Sequence, residues 1–352
     1  MIRNSIKKLA ERQDLTYEEA AECMNEIMKG EADDVSVTNF LLALKMKGES
    51  IDELKGMFDV MNEFSIKIKP SVNGRLIDTC GTGGDKIKTF NISTAAAFIA
   101  SAVGANVAKH GNRAVSGVGG SADALEYFGY DLNTEPDAVK RCIEDFGIGF
   151  IFAPKFHPAI KNVANARKQL GVRTAFNILG PLSNPANVNA QVVGISDPAL
   201  TDKIVHLLQK VGRDEAMVFY SEDGLDELSN TCINHISWLR NGSITKLDLN
   251  PKSFKIAVAE PADLSVMSKE ESVEHTFRVL NGTANEKRIG VVLLNTAASL
   301  IVANIADSFD DAIELARGVI KNGKAYEKLK SLIGSCGNIS VLEELEKKWQ
   351  NS

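Results

Sequence analysis

"DTCGTGGDKIKTFNISTAAA", Asp78 to Ala97, carries the turn that decides the architecture. A short apolar run, "RLIDTC", leads into Gly81, Gly83, Gly84 and Asp85, and the small-residue run "ISTAAAFIASAVG" follows. The first run reads as a strand, the second as a buried helix, and "ANVAKHG" behind it as another strand. Strand, glycine loop, helix, strand is a βαβ unit with parallel strands. Glycines at the C-terminal end of a strand let the backbone turn tightly and present bare N–H groups to an anion. The helix that follows adds the positive end of its dipole. Ser93 and Thr94 are placed to cap that helix, or to offer hydroxyls to a phosphate or its metal. Neither G-x-x-x-x-G-K-[ST] nor a clean G-x-G-x-x-G is present, so a Walker loop and a dinucleotide fold both lose ground. A tight loop with a capped helix is the plain alternative reading.

Upstream the pattern is helical. Thr16 and Glu19 have capping-box spacing ahead of "AAECMNEIMKG", and Ser50 and Glu53 repeat it ahead of "LKGMFDVMNEF". "SVTNFLLALKMKG" between them is a further amphipathic run that stops at Gly48. Residues 1–66 therefore read as a small helical domain, joined by a helical segment near 165–190, and residues 75–352 as a larger α/β domain. Helices are expected at "ADALEYFGY", "AVKRCIEDFG", "PALTDKIVHLLQKVG", "KEESVEHTFRVLNG" and "DDAIELARGVIKNGKAYEKLKSLI". Strands are expected at "IGFIFAP", "AQVVGIS", "EAMVFYS", "SITKLDLN" and "FKIAVAE", giving a mostly parallel central sheet. The tail "LEELEKKWQNS" reads as an exposed helix end.

Composition narrows the class. The 352 residues are 44% hydrophobic and 24% charged, with a net charge of −6, which argues against a general nucleic-acid binder. Cys23, Cys80, Cys142, Cys232 and Cys336 are scattered with no C-x-x-C pair, so reduced thiols fit better than a disulfide framework or a zinc site. "MIRNSIKKLAERQ" has no apolar h-region, and "GVVLLNTAASLIVANIA" is too short and polar to span a membrane. A cytoplasmic protein with a buried core segment there is the expectation.

Three further stretches carry candidate chemistry. "KHGNRAVSGVGGSAD", Lys109 to Asp123, starts where the second strand ends, and ligands of open α/β sheets collect at strand C-termini. Lys109 and Arg113 supply charge, Asn112 can donate or accept, and Ser116 and Ser121 add hydroxyls. "GLDELS" sets Asp226 beside Glu227 after a strand, a pairing that can hold Mg²⁺ against phosphate oxygens, although acidic pairs are also common on surfaces. In "NARKQLGVRTAFNILGPLSNP", Arg167 can pair with a substrate carboxylate, and a solvated helix face is the plain alternative. His110 is the histidine inside a candidate site, but no neighbouring carboxylate orients it in sequence. Two anion loops, an acidic pair and an arginine imply a highly phosphorylated substrate and a second substrate with a carboxylate. Phosphoryl and glycosyl transfer both fit, by positioning and charge stabilisation rather than covalent catalysis.

"DTCGTGGD", "FNISTAAAFIASAVGANVAKHGNR", "GSADALEYFG", "LGVRTAFNILGPLSNP" and "GLDELS", in this order, resemble the anthranilate phosphoribosyltransferases of tryptophan biosynthesis, nearly end to end. The resemblance implies transfer of the 5-phosphoribosyl group of phosphoribosyl pyrophosphate to the amine of anthranilate, with release of pyrophosphate. It also implies two Mg²⁺ ions per monomer and a homodimer formed through the helical domain, with neither nucleic acid nor membrane as partner. By the same resemblance Gly81, Gly84, Asp85, Thr89, Asn91, Ile92, Ser93 and Thr94 line the phosphoribosyl pyrophosphate site. Lys109, His110, Gly111, Asn112, Arg113, Ala114, Val115, Ser116, Gly117 and Ser121 complete it. Ser93, Asp226 and Glu227 match the metal ligands, and Gly81, Asn112 and Arg167 match positions that contact anthranilate. No catalytic base is implied; Lys109 and Arg167 position and stabilise charge.

The sequence departs from the family pattern in two places. Ala114, Gly117, Val118 and Gly119 stand where many members have three serines and a lysine, so side-chain contacts at those positions do not transfer. "NTCINHISWL" replaces the usual "TGPT"-like run behind the acidic pair. Two rival readings are a pyrimidine nucleoside phosphorylase, which carries a further C-terminal domain and fits "KHGNR" poorly, and a non-enzymatic nucleic-acid-binding homologue, which the intact motifs and acidic charge disfavour.

Overall fold

The structure, a computed structural model, describes residues 1–85, 87–114 and 118–350, the side chain of residue 350 excepted. The N-terminal layer holds α1 (Ile2–Ala10), α2 (Tyr17–Lys29), α3 (Asp34–Lys47) and α4 (Ile51–Glu63). Both expected capping boxes close, Thr16 with Glu19 and Ser50 with Glu53, satisfying amides that would otherwise lack partners at the helix starts. Glu53 is fully buried, and that is tolerable because Lys47 sits 2.9 Å away and the Leu15 N–H donates to it at 2.9 Å.

The sheet follows, with β1 (Leu76–Gly81), β2 (Asn106–Gly111), β3 (Ile148–Phe152), β4 (Ala190–Gly194), β5 (Glu215–Ser221), β6 (Asn234–Arg240) and β7 (Ser243–Leu249). Its order among the described residues is β3-β2-β1-β4-β5-β6-β7, with β1 to β5 parallel and β6 and β7 antiparallel. The chain winds outward from β1 in both directions, so the loops after β1, β2, β4 and β5 open on one edge around the switch point. β7 forms one free edge and is largely exposed.

Helices α5 (Ile92–Val103), α6 (Ser121–Tyr127), α7 (Pro136–Phe146) and α8 (Ala153–Phe156) alternate with the first strands. α9 (Lys161–Leu170) and α10 (Ala175–Leu182) return to the N-terminal layer, where Val163, Ala166, Phe176 and Leu179 share a core with Phe40, Leu41, Leu44 and Met57. α11 (Thr201–Lys210), α12 (Pro261–Leu264), α13 (Lys269–Leu280), α14 (Glu286–Val302), α15 (Phe309–Lys321), α16 (Lys324–Cys336) and α17 (Ile339–Gln350) complete the chain. α5 is buried from Thr94 to Ser101, and its alanines let it lie close against β1 and the equally buried α14. Among the described residues no helix is long and apolar enough to cross a membrane.

Four local expectations need correction. "FKIAVAE" is not a strand: it follows a short turn at Pro251–Ser253, and its Ala257 carbonyl accepts from Asn230 Nδ2 at 2.8 Å instead of from a neighbouring strand. β6, between β5 and β7, is a strand not expected from the sequence, because its polar Asn234, Ser237 and Arg240 weaken the apolar pattern. The long helix from Asp310 breaks at Asn322 and Gly323, where Gly323 takes a φ of 78°. The tail is not an exposed end, since Leu342 and Trp349 are buried and the Trp349 ring lies 5.1 Å from that of Phe277. All five cysteines are free, although the Cys142 and Cys336 sulfurs come within 3.1 Å.

Candidate active site

The β1 loop turns through Gly83 and Gly84, whose φ values of 67° and 86° lie in the left-handed region that favours glycine. The Gly83 N–H donates to Asp226 Oδ2 at 2.7 Å. Asp226 also presses on both neighbouring strand ends. A Cβ at Gly81 would lie 2.2 Å from Asp226 Oδ2, and one at Gly194 would lie 1.7 Å from the Asp226 carbonyl oxygen. The two glycines are therefore the space in which the acidic pair sits. Glu227 reaches the other side of the loop, where its Oε1 accepts from the Ser93 N–H at 3.1 Å.

That contact corrects the reading of Ser93 and Thr94 as caps. The helix is capped at Asn91 with no side-chain bond, and Thr94 is buried. A carboxylate from 134 residues away serves the start of α5 instead, placed where the helix dipole favours negative charge. Lys109, on β2, is buried beneath; its amine donates to the Thr79 carbonyl at 2.8 Å and lies 3.4 Å from Ser93 Oγ. Burial pushes the lysine pKa down, while Asp78 and Glu227 oppose that shift. Asp78 is fully buried, which raises its pKa to about 6 despite Lys109, and its Oδ1 accepts from the His110 N–H at 3.1 Å.

Loss of water pushes the carboxyl pKa values of Asp226 and Glu227 upward. Asp85 adds to the shift at Asp226, and Asp226 adds to it at Glu227. Neither acid forms an ion pair among the described residues. Crowded acids that make no ion-pair contact, beside the Ser93 hydroxyl, are what a divalent cation would relieve. No group of three or more His, Cys, Asp or Glu suited to a metal occurs among the described residues. A metal here would complete its shell with water or substrate oxygens, which suits Mg²⁺. The altered segment reaches the pair through Ser221, whose Oγ lies 2.5 Å from the Glu227 carbonyl oxygen and 2.6 Å from Oδ1 of Asn234 in that segment. Asn295 clamps Leu228 by its N–H (3.0 Å) and its carbonyl (2.9 Å).

The comparisons with known proteins bear on this geometry. Residues 3–65 match the helical bundle domain of the glycosyl transferase family, and residues 73–326 match its a/b domain. An anthranilate phosphoribosyltransferase of Nitrosopumilus maritimus is 47% identical over 345 residues, 98% of this chain and 99% of the relative. One from Acetivibrio thermocellus is 45% identical over 95% of this chain and 96% of its own. The chain belongs to the anthranilate phosphoribosyltransferase family. The crystal structure of the Thermus thermophilus member superposes with a TM-score of 0.88 at 36% identity, covering 94% of this chain and 99% of that one. The Saccharomyces cerevisiae member in complex with PRPP and Mg gives 0.86 at 25% identity, covering 95% and 97%.

In this member of the family the expected residues are distributed unevenly. Gly81, Gly84, Asp85, Ser93 and Lys109 gather with the acidic pair at the switch point. Thr89 bridges to Ser265 and Asn91 Nδ2 donates to Ser272 Oγ at 3.0 Å, so these two also tie the loop to the later helices. Ile92 points into the core. Gly111 packs on Ser121, whose Oγ would meet a Cβ at 2.1 Å. Arg113 turns outward: its guanidinium forms two 2.7 Å bonds to Glu126 and one of 3.2 Å to Asp123, while the Ala114 N–H donates to Asp123 at 3.0 Å. Asn112 keeps its side chain local, its Oδ1 accepting from the Arg113 N–H at 2.8 Å. Val115, Ser116 and Gly117 lie outside the described residues. Arg167, on α9, stacks 5.4 Å over the Phe176 ring and forms no ion pair among the described residues, which leaves its charge for an anionic ligand.

His110 is buried with its ring 5.2 Å from that of His157, and the Nε2 atoms of both lack a partner. Burial pushes its pKa well below the usual value, and no carboxylate orients the ring, so it stays neutral. Gly194, Ser221 and Asn295 also shape the site, although little in the local sequence marks them. The glycine in "VVGIS" at the end of β4 was a signal of the kind that marked Gly81.

Proposed function

We infer that this enzyme transfers the 5-phosphoribosyl group of phosphoribosyl pyrophosphate to the amine of anthranilate, releasing pyrophosphate, as a step of tryptophan biosynthesis. The observation that carries the reading is the acidic pair held against the glycine loop at the sheet's switch point, in a chain 47% identical to a named member of the family. Residues 1–66, with the segment near 165–190, make the helical domain and residues 75–352 the α/β domain. The Gly81–Asp85 loop and the Asn91–Thr94 helix start receive the donor's phosphates, with Lys109 beneath them. Mg²⁺ held by Asp226, Glu227 and Ser93, two ions per monomer, would neutralise the pyrophosphate and make it a better leaving group. Arg167 and Asn112 orient the acceptor carboxylate, and the loop backbone at Gly81 borders the acceptor amine. That amine is aromatic and nucleophilic when neutral, so no strong base is needed. The neutral His110 fits this account. The enzyme acts in the cytoplasm as a homodimer that pairs through the helical domain.

With Mg²⁺ and phosphoribosyl pyrophosphate, the purified protein is expected to consume anthranilate, seen as loss of its fluorescence. Asp226→Asn is expected to weaken the response to Mg²⁺ by at least tenfold. No turnover in the first assay would overturn the reaction, and an unchanged Mg²⁺ titration in the second would overturn the metal assignment.

A further inference from the structure

Arg173 stands between α9 and α10, on the segment that packs with the helical layer, yet its guanidinium leaves that layer. Nη1 donates to the Gly83 carbonyl at 2.5 Å and Nη2 to the Thr82 carbonyl at 2.9 Å. Ser196, just after β4, donates its hydroxyl to the same Gly83 carbonyl at 2.8 Å. On the other side the Gly83 N–H is taken by Asp226 at 2.7 Å. The peptide is thus pinned from both directions. The fit continues at Gly84, where a Cβ would meet Arg173 Nη1 at 2.1 Å, so the guanidinium lies directly against the glycine backbone. A planar fork with two parallel N–H donors is what two successive carbonyls can accept, and a lysine ammonium cannot reproduce it.

The chemistry of the loop explains why this matters. A phosphate loop works by offering N–H groups, and carbonyl oxygens turned toward the same anion repel it. Arg173 holds two carbonyls of this loop on its own side, and its positive charge remains beside the acidic pair, where it opposes the upward pKa shift of Asp226. Its backbone is fixed by the neighbouring helices: the buried Ala175 and Phe176 follow it, and Val163 and Ala166 precede it in the same core. We propose that Arg173 is a positioning residue for the donor: it sets the conformation of the Thr82–Gly84 turn from the helical layer, and so makes donor affinity depend on how that layer is seated. The inference rests on Gly81–Asp85 being the donor loop.

The test is steady-state kinetics of Arg173→Ala and Arg173→Lys with donor and acceptor each varied at saturating Mg²⁺, beside thermal melts of each protein. Loss of two charge-assisted hydrogen bonds to the turn is expected to raise the donor KM by about tenfold or more. The acceptor KM and kcat at saturating donor are expected to stay within about twofold, and Arg173→Lys to recover part of the loss through one carbonyl. Ser196→Ala is expected to move the donor KM in the same direction by less. A folded Arg173→Ala with a donor KM within twofold of the parent overturns the inference. So does a variant in which both KM values, kcat and the melting temperature all shift together with no recovery by lysine, since that is a merely structural loss. If Arg173→Ala is silent while Asp226→Asn still weakens the Mg²⁺ response, only this inference falls. If both are silent, the assignment of the loop falls with it.

Discussion

Gly194→Ala adds one methyl group at the end of β4, and the structure says where it must go. The new Cβ would stand 1.7 Å from the Asp226 carbonyl oxygen, 2.4 Å from its carbon and 3.2 Å from the Glu227 nitrogen. All three atoms are backbone, so no rotamer change relieves the clash. Ordinary contact begins near 3.4 Å, so the acidic peptide or the strand end must retreat by about 1.7 Å in total. Gly194 does not have a positive φ, which means that alanine suits the strand itself and the whole effect is spatial. If half of the retreat falls on the acidic pair, its carboxylates move by almost 1 Å. A displacement of that order costs about 10²-fold in rate where catalysis depends on position, and Mg²⁺ tolerates little change in its 2.0–2.1 Å bonds. The expected result is a fall in kcat/KM of about 10²-fold with a raised Mg²⁺ requirement. A stability loss of about 1–3 kcal/mol is typical of overpacking. Anthranilate fluorescence across a Mg²⁺ titration reads the first effect, and a denaturant melt reads the second. Gly318→Ala, in α15 with nothing within 4 Å of its Cβ, is the control and should leave activity unchanged. A folded Gly194→Ala enzyme whose kcat/KM stays within threefold of the parent would refute the reasoning.

Two more outcomes follow from buried groups. Burial lowers the His157 pKa to about 4 from 6.5, so between those values the unfolded chain binds a proton that the folded chain does not. The stability tied to this histidine is therefore complete above pH 6.5 and is lost as the pH falls toward 4, by as much as ~3 kcal/mol. His157→Gln should flatten the acid side of the melting-temperature profile, and an identical slope in both proteins would contradict the account. Trp349→Ala should destabilise the α/β domain by about 3 kcal/mol, as loss of a buried tryptophan does, because the ring packs on Phe277 and stacks with Tyr127. Chemical denaturation checks this, and a loss under 1 kcal/mol would mean that α17 is peripheral after all.

What the sequence made legible follows the range of the forces involved. Thr16 with Glu19 and Ser50 with Glu53 act over three residues, so both caps could be read directly and both form. The β1–α5–β2 unit was equally plain, because a glycine turn separates a short strand from a small-residue helix that carries no charged residue. β6 was hidden by Asn234 and Ser237, which are polar and yet buried because they serve the acidic loop and the sheet interior. Trp349 looked like part of a charged tail, since its partners Phe277 and Tyr127 are distant in sequence. The candidate site shows the same limit. Asp226 and Glu227 could be marked as an adjacent pair, but nothing local announces that Glu227 meets the start of α5 or that Gly194 exists to make room for Asp226. Arg173 could be seen as a cation, while its carbonyl partners lie some 90 residues upstream.

The free edge of the sheet bears on how this protein behaves in a crowded solution. β7 presents one row of backbone groups that no other strand satisfies, the usual template for unwanted self-association. Its side chains work against that. Ser243, Thr245, Lys246 and Asp248 are exposed along it; Lys246 is held by Asp202 at 2.7 Å, and Asp248 by His235 at 2.7 Å. A strand arriving from another molecule would have to strip water from this polar row and pull both charges from their partners. The β7 edge of the sheet is thus shielded by solvation against pairing with a strand from another molecule.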